Sequence, residues 1–562
     1  MFKKTDDAQQ ISLFGSPSEL MNARAKKKLS DPKAWHNVFR NHVLGHIDEN
    51  LFISVFSSNM GAPNYSIKVL LGMMIIKEVL ECSDKQLFEH CEFNLLTRSA
   101  LGLVNIDDPL PAESTYYLFR EKVHNHYHQT GDNLFERVFA TVTQGQATEF
   151  NVSGKILRMD SAMIGSNIAS YNRYELIHRA TDLFYKSVPE KVLNKRMNRK
   201  DRSALQEILK EESGKVVYRS TKQELIDRMN QLGRLIYRLL RLHKSNPHHD
   251  LLQKILSEQY MKVDAGVVLL EREKIPADSI QSPDDPDCNY RNKGGKKVKG
   301  YSVNATETCS DDQLNLITDI QVDKVNTPDS TFLKKAIVSS KVVTQDLAKR
   351  VHCDGAYHSP DNATYAKLIQ TDLVLTGMQG KPGRYDFQKT SEGLLVTNRE
   401  TGEVTQAVEI NTSKGLKWRI DTPTHRRYFT QKCIENYLIR QKLANRTKAE
   451  LNLRNNVEAT MYLISHSCRN RKSRYRKIIP NRTWAYTRGL AINMMRICKY
   501  IETTCQRTQA IACLSNVYVI FSHWRTLFYN YWAKREIFIP VYIENQNSTH
   551  LLNTPSRSGL SV

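Results

Sequence analysis

Three acidic residues in this sequence stand in settings from which their carboxylates could reach one shared site. Asp160 ends a short, mostly apolar run at 155–159, Asp354 ends a similar run at 350–353, and Glu458 lies in an arginine-bearing stretch of helical periodicity. Carboxylate oxygens are the ligands that hard divalent cations prefer. Two such ions about 4 Å apart can activate a nucleophile and stabilise a leaving oxygen on a phosphate. The pattern therefore predicts a metal site for phosphoryl transfer.

Each of these residues alone also has an ordinary structural explanation. An aspartate at the end of a strand commonly forms a turn or caps a helix, and a helical glutamate usually faces solvent. Glu435 and Glu450 compete with Glu458 for the third position by their helical context. The separations along the chain, 354 − 160 = 194 and 458 − 354 = 104 residues, mean that only tertiary folding could bring the three acids together.

The surrounding pattern predicts the strands and helices that would position these carboxylates. Strand candidates at 155–159, 301–308 and 314–322 precede a helix near 330–340, and a further strand ends at Asp354. This order of strand, strand, strand, helix and strand is that of the first part of an RNase H-like sheet. The expected fold class is an α/β RNase H-like catalytic core with a helical insertion and a β-rich insertion, preceded by an all-α N-terminal domain.

The same periodicity sets the expected domain boundaries. A seam of leucine, methionine and isoleucine between 225 and 239 indicates an internally packed helical hairpin, with a contact to DNA or to a second protomer as the alternative. The predicted divisions are an N-terminal arm at 1–33, a helical DNA-binding domain at 34–150, a split catalytic domain at 151–170 and 276–505, a helical insertion at 171–275, a β-rich insertion at 380–420 and a C-terminal segment at 506–562.

Composition favours a polyanionic partner. The 81 lysines and arginines exceed the 59 acidic residues by 22, and the sequence pI is about 9.4. DNA, RNA and anionic membranes all carry the complementary charge, and a basic surface that only maintains solubility is the alternative. Several short helices between 34 and 145 suit a helix-turn-helix-like DNA-binding module. A helical dimerisation or packing domain fits that pattern equally well.

Neither a membrane segment nor a disulfide framework is expected. No stretch of 18 or more apolar residues occurs, and the first residues lack the apolar core of a signal peptide. The segment 511–531 is interrupted by a histidine and an arginine, so we expect a buried helix or strand pair there. Ten cysteines without a Cys-x-x-Cys pair suit reduced cytosolic thiols, and the spacing of His352, Cys353 and His358 does not suit a zinc site.

Clustered cations provide candidate contacts to phosphate groups. The segment 468–477 holds many arginines and lysines around one tyrosine, whose ring could stack on an exposed base. The segment 291–300 could seat a phosphate backbone with its amides and lysines, although it matches no P-loop and a solvated loop leading into a strand is the alternative. The predicted DNA-binding residues are Arg454, Arg469, Arg471, Lys472, Arg474, Tyr475, Arg476, Lys293, Lys296 and Lys297.

Several stretches, taken in order, resemble bacterial insertion-sequence transposases of the DDE type, in the branch with an InsH-like N-terminal domain and an RNase H-like catalytic core. The resemblance runs from about residue 10 to residue 500. The stretches that carry it are Gly61–Tyr65, Leu101–Leu103, Ser114–Arg120, Met159–Asn167, Asp285–Asp287, Lys293–Lys296, Gly300–Asn304, Cys353–Tyr357, Val457–Glu458, Arg471–Arg476 and Ala491–Arg496.

The resemblance implies that Asp160, Asp354 and Glu458 form the catalytic and metal-binding triad. It implies Mg²⁺ as the cofactor, with Mn²⁺ as a substitute, and double-stranded DNA at transposon ends and target sites as the substrate. It further implies a homodimer in the DNA complex and a location in the bacterial cytoplasm, associated with the nucleoid when bound to DNA.

The chain departs from the family pattern at two positions. Leu451 stands where some relatives have a tyrosine before Arg454, and Lys477 stands where we expect a glycine after the basic segment. A catalytically inactive DNA-binding relic or regulator is the alternative function. A nuclease without strand transfer is a third, which the sequence does not separate from a transposase.

Overall fold

A computed structural model describes residues 1–4 and 21–504, apart from residues 59, 106, 265, 311–312, 379, 392, 414 and 423–424. Met1–Tyr500 form one compact unit, and Ile501–Val562 form a second, of which only the first four residues are described. The segment at 511–531, predicted to be a buried helix or strand pair, and residues 5–20 of the predicted N-terminal arm therefore lie outside the described residues.

Seven α-helices lie in the described part of residues 21–150. They are α1 (Ala23–Leu29), α2 (Trp35–His42), α3 (Ile67–Val79), α4 (Asp84–Phe93), α5 (Leu95–Ala100), α6 (Glu113–Thr130) and α7 (Leu134–Glu149). Eleven of the thirteen residues of α3 are buried, so this helix is enclosed on every side. At the start of α4, Ser83 and Gln86 form the reciprocal hydrogen bonds of a capping box.

The strand β1 (Ile156–Gly165) follows, and a largely helical segment is inserted directly after it. Its elements are α8 (Arg173–Lys186), α9 (Glu190–Arg196), α10 (Arg199–Lys210), α11 (Ser213–Arg219), α12 (Lys222–Leu239), α13 (His249–Gln259), β2 (Tyr260–Val263) and β3 (Gly266–Leu269). Met229, Leu232, Ile236 and Leu239 of α12 are buried in a core formed within this segment. The predicted seam therefore packs internally, whereas the β2–β3 hairpin was not predicted.

Six strands form the central mixed sheet. Besides β1 they are β4 (Asn289–Lys293), β5 (Lys296–Thr308), β6 (Ile317–Lys324), β7 (Arg350–Cys353) and β8 (Asp372–Leu375). β5 pairs antiparallel with β1 on one side and with β4 and β6 on the other, while β7 and β8 extend the sheet parallel to β1. The order across the sheet is β6, β5, β1, β7, β8. Two further helices connect strands of this sheet. The helix α14 (Phe332–Thr344) lies between β6 and β7 in sequence, and α15 (Pro360–Leu368) lies between β7 and β8.

The basic, glycine-bearing segment at 291–300 is a β-hairpin and not a loop. Asn289 pairs with Gly300 and Lys293 with Lys296, so both flanks belong to strands. Gly294 and Gly295 form the connection with φ of 58° and 80°. Two consecutive residues with positive φ match the right-handed twist of a hairpin, which explains why two glycines stand here.

A second sheet and the last helices complete the described chain. The strands β9 (Tyr385–Thr390), β10 (Gly393–Asn398), β11 (Val404–Thr412), β12 (Gly415–Asp421) and β13 (Arg426–Thr430) pair antiparallel in sequence order. This sheet extends beyond the predicted range of 380–420. The helices α16 (Gln431–Ala444), α17 (Lys448–Asn452) and α18 (Asn455–His466) follow, and a final helix begins at residue 478 and is described through residue 504. None of the described helices combines the length and apolar character that a membrane crossing needs.

One apolar core joins the N-terminal helices to the central sheet. Phe139 of α7, Ile320 of β6 and Trp484 and Tyr486 of the final helix belong to the same buried cluster. A Cβ atom on Gly489 would lie 2.4 Å from the Ile320 side chain, which shows how closely the final helix approaches the sheet. The helical segment predicted as a separate domain therefore shares its core with the sheet.

A buried ionic cluster ties α18 and the final helix to the sheet. Glu307 on β5 is fully buried and accepts hydrogen bonds from Arg158 of β1 at 2.5 Å and from Arg496 of the final helix at 2.7 Å. The Thr460 hydroxyl of α18 also donates to Glu307, at 2.6 Å. Arg158 and Glu307 are direct cross-strand partners, so one carboxylate fixes two strands and two helices.

We expect Glu307→Gln to lower the free energy of unfolding by about 3–5 kcal/mol, because it leaves a buried guanidinium without its counter-charge. Urea denaturation followed by circular dichroism measures this loss. The matched control is Glu212→Gln, which breaks an exposed pair with Lys215 at 2.6 Å and should leave the midpoint unchanged. Equal midpoints for both variants would contradict the role of the cluster.

Candidate functional site

Two of the predicted acids lie side by side on neighbouring parallel strands. The sequence predicted that Asp160 ends its strand, but β1 continues to Gly165 because its pairing with β5 extends that far, so Asp160 lies within β1 and Asp354 directly follows β7. Ile156 pairs with Arg350 and Arg158 with His352, a constant offset of 350 − 156 = 194 residues. Asp160 and Asp354 have the same offset, 354 − 160 = 194, so continuing this register places Asp160 beside Asp354, where β7 ends and β1 continues. Neighbouring strands lie about 4.8 Å apart, which puts the two carboxylates within mutual electrostatic reach.

The turn after β7 holds Asp354 in this position. Its carboxylate accepts a hydrogen bond of 2.6 Å from the Gly355 amide and caps a short 3₁₀ helix over Gly355–Tyr357. A Cβ atom on Gly355 would lie 2.1 Å from the backbone oxygen of Gly377. Only a glycine therefore lets the chain turn this closely past the segment that follows β8. The Tyr357 hydroxyl donates to the Asn304 side chain at 2.6 Å and anchors the turn on β5.

The helix α18 packs against β1 and brings the third acid to the same region. Arg454, which precedes the first residue of α18, donates from Nη2 to Asp160 Oδ2 at 2.9 Å, and its Nη1 lies 3.6 Å from Glu458 Oε1. The side chain of Glu458 is 63% exposed, whereas that of Asp160 is 18% exposed. Arg454 therefore lies between a sheltered and an accessible carboxylate.

The three acids and Arg454 form one electrostatic cluster. Burial raises the pKa of Asp160, the Arg454 guanidinium opposes that rise, and the neighbouring charge of Asp354 adds to it. Burial lowers the pKa of Arg454, but Asp160, Asp354 and Glu458 together bring it above its ordinary value. The arrangement is a local excess of negative charge, held by one cation.

The donor chemistry fits a hard divalent cation, since two adjacent carboxylates and a third nearby supply only oxygen ligands. As the side chains stand, no three Asp, Glu, His or Cys residues in the described part of the chain converge closely enough to hold one ion. Arg454 lies where it neutralises Asp160, and Glu458 is exposed enough to change rotamer. Asp160 and Asp354 are therefore brought together directly, and Glu458 is linked to Asp160 through Arg454.

The two competing glutamates have other partners. Glu450 forms the capping box of α17 with Thr447 and lies 3.6 Å from Arg446. Glu435 on α16 accepts a hydrogen bond of 3.1 Å from Gln431. Neither makes the Arg454 contact that distinguishes Glu458.

The cations of the predicted basic segment divide into those whose side chains hydrogen-bond to backbone oxygens of the protein and those whose side chains do not. Lys472 donates to the backbone oxygen of Ile168 at 3.0 Å, Arg476 to that of Asn167 at 2.8 Å, and Arg474 to those of Glu81 and Cys82. All five of these residues are exposed, and within the described part of the chain the side chains of Arg469 and Arg471 form no hydrogen bond or ion pair with the protein.

Tyr475 does not present its ring to solvent. Its hydroxyl accepts a hydrogen bond of 3.1 Å from the Lys77 side chain, and Lys77 and Arg120 lie 5.4 and 5.7 Å from the ring centroid. The ring packs against the N-terminal core, so the structure does not place it for the base stacking that the sequence suggested. The exposed aromatic residue beside the acids is Tyr462, one turn after Glu458 on α18 and 62% exposed, which sequence reasoning missed.

The three predicted lysines of the β4–β5 hairpin, Lys293, Lys296 and Lys297, are exposed. Lys293 lies 3.7 Å from Asp329, and Lys296 and Lys297 begin β5 beyond its pairing with β1.

Sequence reasoning also missed the cluster around Glu307. Its members are separated by up to 338 residues, and a glutamate inside a strand gives no signal of its partner.

Comparison with known protein families bears on the N-terminal helices. Residues 28–122 match the family model described as Transposase domain (DUF772). The match supports a transposase-family protein. It spans α2 to α5 and the first part of α6, and it suggests a transposition-related function for the chain. No curated protein and no solved structure gives a significant match.

We expect Gly355→Ala to destabilise the protein by about 1–3 kcal/mol, because the new methyl group forces the turn of Asp354 away from Gly377. Thermal unfolding monitored by circular dichroism measures the loss. Gly377→Ala is the matched control, since an added Cβ there meets nothing within 4 Å. A stability of Gly355→Ala equal to that of the control would show that the close approach does not position Asp354.

Proposed function

We propose that this chain is a DDE-type transposase that uses Asp160, Asp354 and Glu458 to cleave DNA and to join the cut ends to a target. The observation that carries the proposal is the shared offset of 194 residues, which brings Asp160 on β1 next to Asp354 after β7, with Glu458 on the helix packed against β1. The transposase-domain match at residues 28–122 gives independent support for the class of protein.

The topology of the central sheet supports an RNase H-like catalytic core. With the β4 extension set aside, the strands follow one another across the sheet in the sequence order third, second, first, fourth, fifth, with the first three antiparallel and the last two parallel to the first. This is the strand order expected of that fold. The acid within the first strand and the acid that follows the fourth are then neighbours because of the topology.

The proposed chemistry is phosphoryl transfer at one site. Asp160, Asp354 and Glu458 would hold Mg²⁺, or Mn²⁺ in its place, and the bound metal would supply charge neutralisation at the phosphate. In cleavage, water attacks the phosphorus, the bond to the 3′ oxygen breaks, and that oxygen leaves as a hydroxyl after it takes up a proton. In joining, the freed 3′-hydroxyl gives up its proton and attacks a target phosphate, the bond from that phosphorus to the target strand's 3′ oxygen breaks, and the displaced oxygen takes up a proton and leaves as a hydroxyl. Arg454 would orient Asp160 and Glu458 during both steps.

The proposed substrate is double-stranded DNA, at the ends of the mobile element and at its target. Exposed cations at Arg469, Arg471 and the β4–β5 hairpin would contact its phosphates. Two ends must be processed together, so we propose a homodimer in the DNA complex, acting in the bacterial cytoplasm at the nucleoid. A DNA-binding relic without catalysis is the second candidate, and the arrangement of the three acids speaks against it.

Asp160→Asn, Asp354→Asn and Glu458→Gln should each reduce metal-dependent cleavage at least about a hundredfold while DNA binding is retained, because each removes a charge from the reacting site. The measurement is cleavage and strand transfer on DNA that carries the element's own ends, with Mg²⁺ and with Mn²⁺. Glu435→Gln and Glu450→Gln are controls that should retain most of the activity. Binding without cleavage by the unmodified protein in either metal would favour the relic.

Tyr462→Ala should weaken binding of DNA with an unpaired base at the cleavage site by roughly 1–3 kcal/mol, because the exposed ring beside Glu458 can stack on that base. Fluorescence of 2-aminopurine at the unpaired position reports stacking directly. Tyr462→Phe keeps the ring and should behave as the unmodified protein. An unchanged signal in Tyr462→Ala would exclude stacking at this residue.

A further inference from the structure

A cleft of about 520 Å³ lies between the helical insertion and the β4–β5 hairpin. Its walls come from the start of α8, the end of α13, the segment at 272–281 and the hairpin strands. Four cationic side chains line it, those of Arg173, Arg272, Lys297 and Lys299. No acidic residue is among the lining residues, so the lining carries a net positive charge, which suits an anion.

Two of the four cations are held firmly in place. Arg173 donates from Nε and Nη2 to the side chain and backbone oxygens of Gln259, both at 2.9 Å. Lys299 donates to the backbone oxygen of Tyr171 at 2.9 Å. Both side chains donate their hydrogen bonds to uncharged oxygens. Within the described residues, none of the four lining cations has a carboxylate oxygen within 4.0 Å. Their charges are therefore left uncompensated by direct ion pairs.

The cations also act on one another and are partly desolvated. Burial lowers the pKa of Arg173, and the positive charge of Arg272 lowers it further. Burial likewise lowers the pKa of Lys299, opposed by Cys288 and by the charge of Glu175. Glu175 itself caps the start of α8 through the backbone of Asn172. Mutual repulsion of this kind costs free energy in the free protein, and a bound anion would relieve it.

The cleft lies along the same strand as the candidate active site. Asp160 pairs with Ala305 on β5, and Lys299 lies six residues earlier on that strand, about 20 Å away at ~3.3 Å per residue. Between them, Gly165 at the end of β1 forms a bridge with Lys472, beside the exposed Arg471. Because Gly165 pairs with Gly300, next to Lys299, the basic segment lies at the end of β5 that is near the cleft.

We propose that this cleft binds backbone phosphates of the DNA whose cleavage site lies at Asp160 and Asp354. The helical insertion then takes part in DNA binding through its junction with the hairpin, and not through its α12 seam, which is buried internally. About 20 Å corresponds to roughly six nucleotides of a strand at 3.4 Å each, so one duplex can reach both places. The inference rests on the proposed function, because it takes DNA as the occupant.

The test is the salt dependence of DNA binding by the double variant Arg272→Ala/Lys297→Ala. Both side chains are exposed and neither forms a described ion pair within 4.0 Å, so the fold should be retained. Fluorescence anisotropy with an end-bearing duplex, titrated with salt, gives the slope of log affinity against log salt. Losing two phosphate contacts should reduce that slope by about two and lower the affinity about tenfold at ~0.1 M salt.

Two further variants make the result specific. Lys191→Ala/Lys200→Ala removes two exposed cations of the same insertion that do not line the cleft, and it should change the affinity less than about twofold. Arg272→Lys/Lys297→Arg keeps both charges and should restore the slope. A duplex of unrelated sequence should show the same loss in the alanine variant, since phosphate contacts carry no base information.

The outcomes separate the inference from the proposed function. If the unmodified protein binds DNA and the alanine variant keeps its slope and affinity, the cleft is not a phosphate site and the proposed function stands. If the two control cations matter as much as the cleft cations, the effect is one of overall charge and the cleft assignment is wrong. If the unmodified protein binds no DNA even at low salt, the proposed function fails and the inference fails with it.

Discussion

The geometry of the candidate site depends on a single buried carboxylate. Glu307 receives Arg158 from the neighbouring strand, Arg496 from the final helix and Thr460 from α18, so it fixes the helix of Glu458 relative to the strand of Asp160. A buried ionic cluster of this kind adds little net stability compared with an apolar core, but its hydrogen-bond directions allow few alternative arrangements. Helix and sheet surfaces that met only through apolar contacts could slide by a residue. The ionic contacts prevent that, and the acids stay in register.

Arg454 links the strand and helix that Glu307 fixes to the acids of the candidate site. It is the cation that lets Asp160 remain near Asp354 despite burial and like charge, and its second nitrogen lies near Glu458. Within the described residues, Arg454 is the cation that forms ion pairs with both Asp160 and Glu458. The same arrangement makes the site adaptable, because Glu458 is exposed and can turn toward the sheet once another cation shares the charge of the aspartates. Preorganisation is thus strong for the two aspartates and weaker for the glutamate.

The sequence allowed prediction of the parts that follow from local patterns. Apolar runs before Asp160 and Asp354 identified the start of β1 and the whole of β7, because buried strands leave local signals, whereas the continuation of β1 to Gly165 depends on its pairing with β5. Contacts between distant residues leave none, so neither the Glu307 cluster nor the burial of Tyr475 could be foreseen. At one departure from the expected pattern, the backbone has a conformation that favours glycine. Lys477, where glycine was expected, has a φ of 65°, the left-handed region in which glycine is unstrained.

Net charge alone overstates the surface available for DNA. The excess of 22 positive charges includes Arg158, Arg488 and Arg496, which pair with Glu307 or Glu81 inside the protein, and the cations of the basic segment that bind backbone oxygens. Such cations stabilise the fold and are not free to release counterions from DNA. Those that remain accessible are concentrated at the exposed residues of the basic segment, on the β4–β5 hairpin and in the cleft behind it. Because these groups follow β5 away from the acids, the strand that positions the aspartates would also set the path of the DNA.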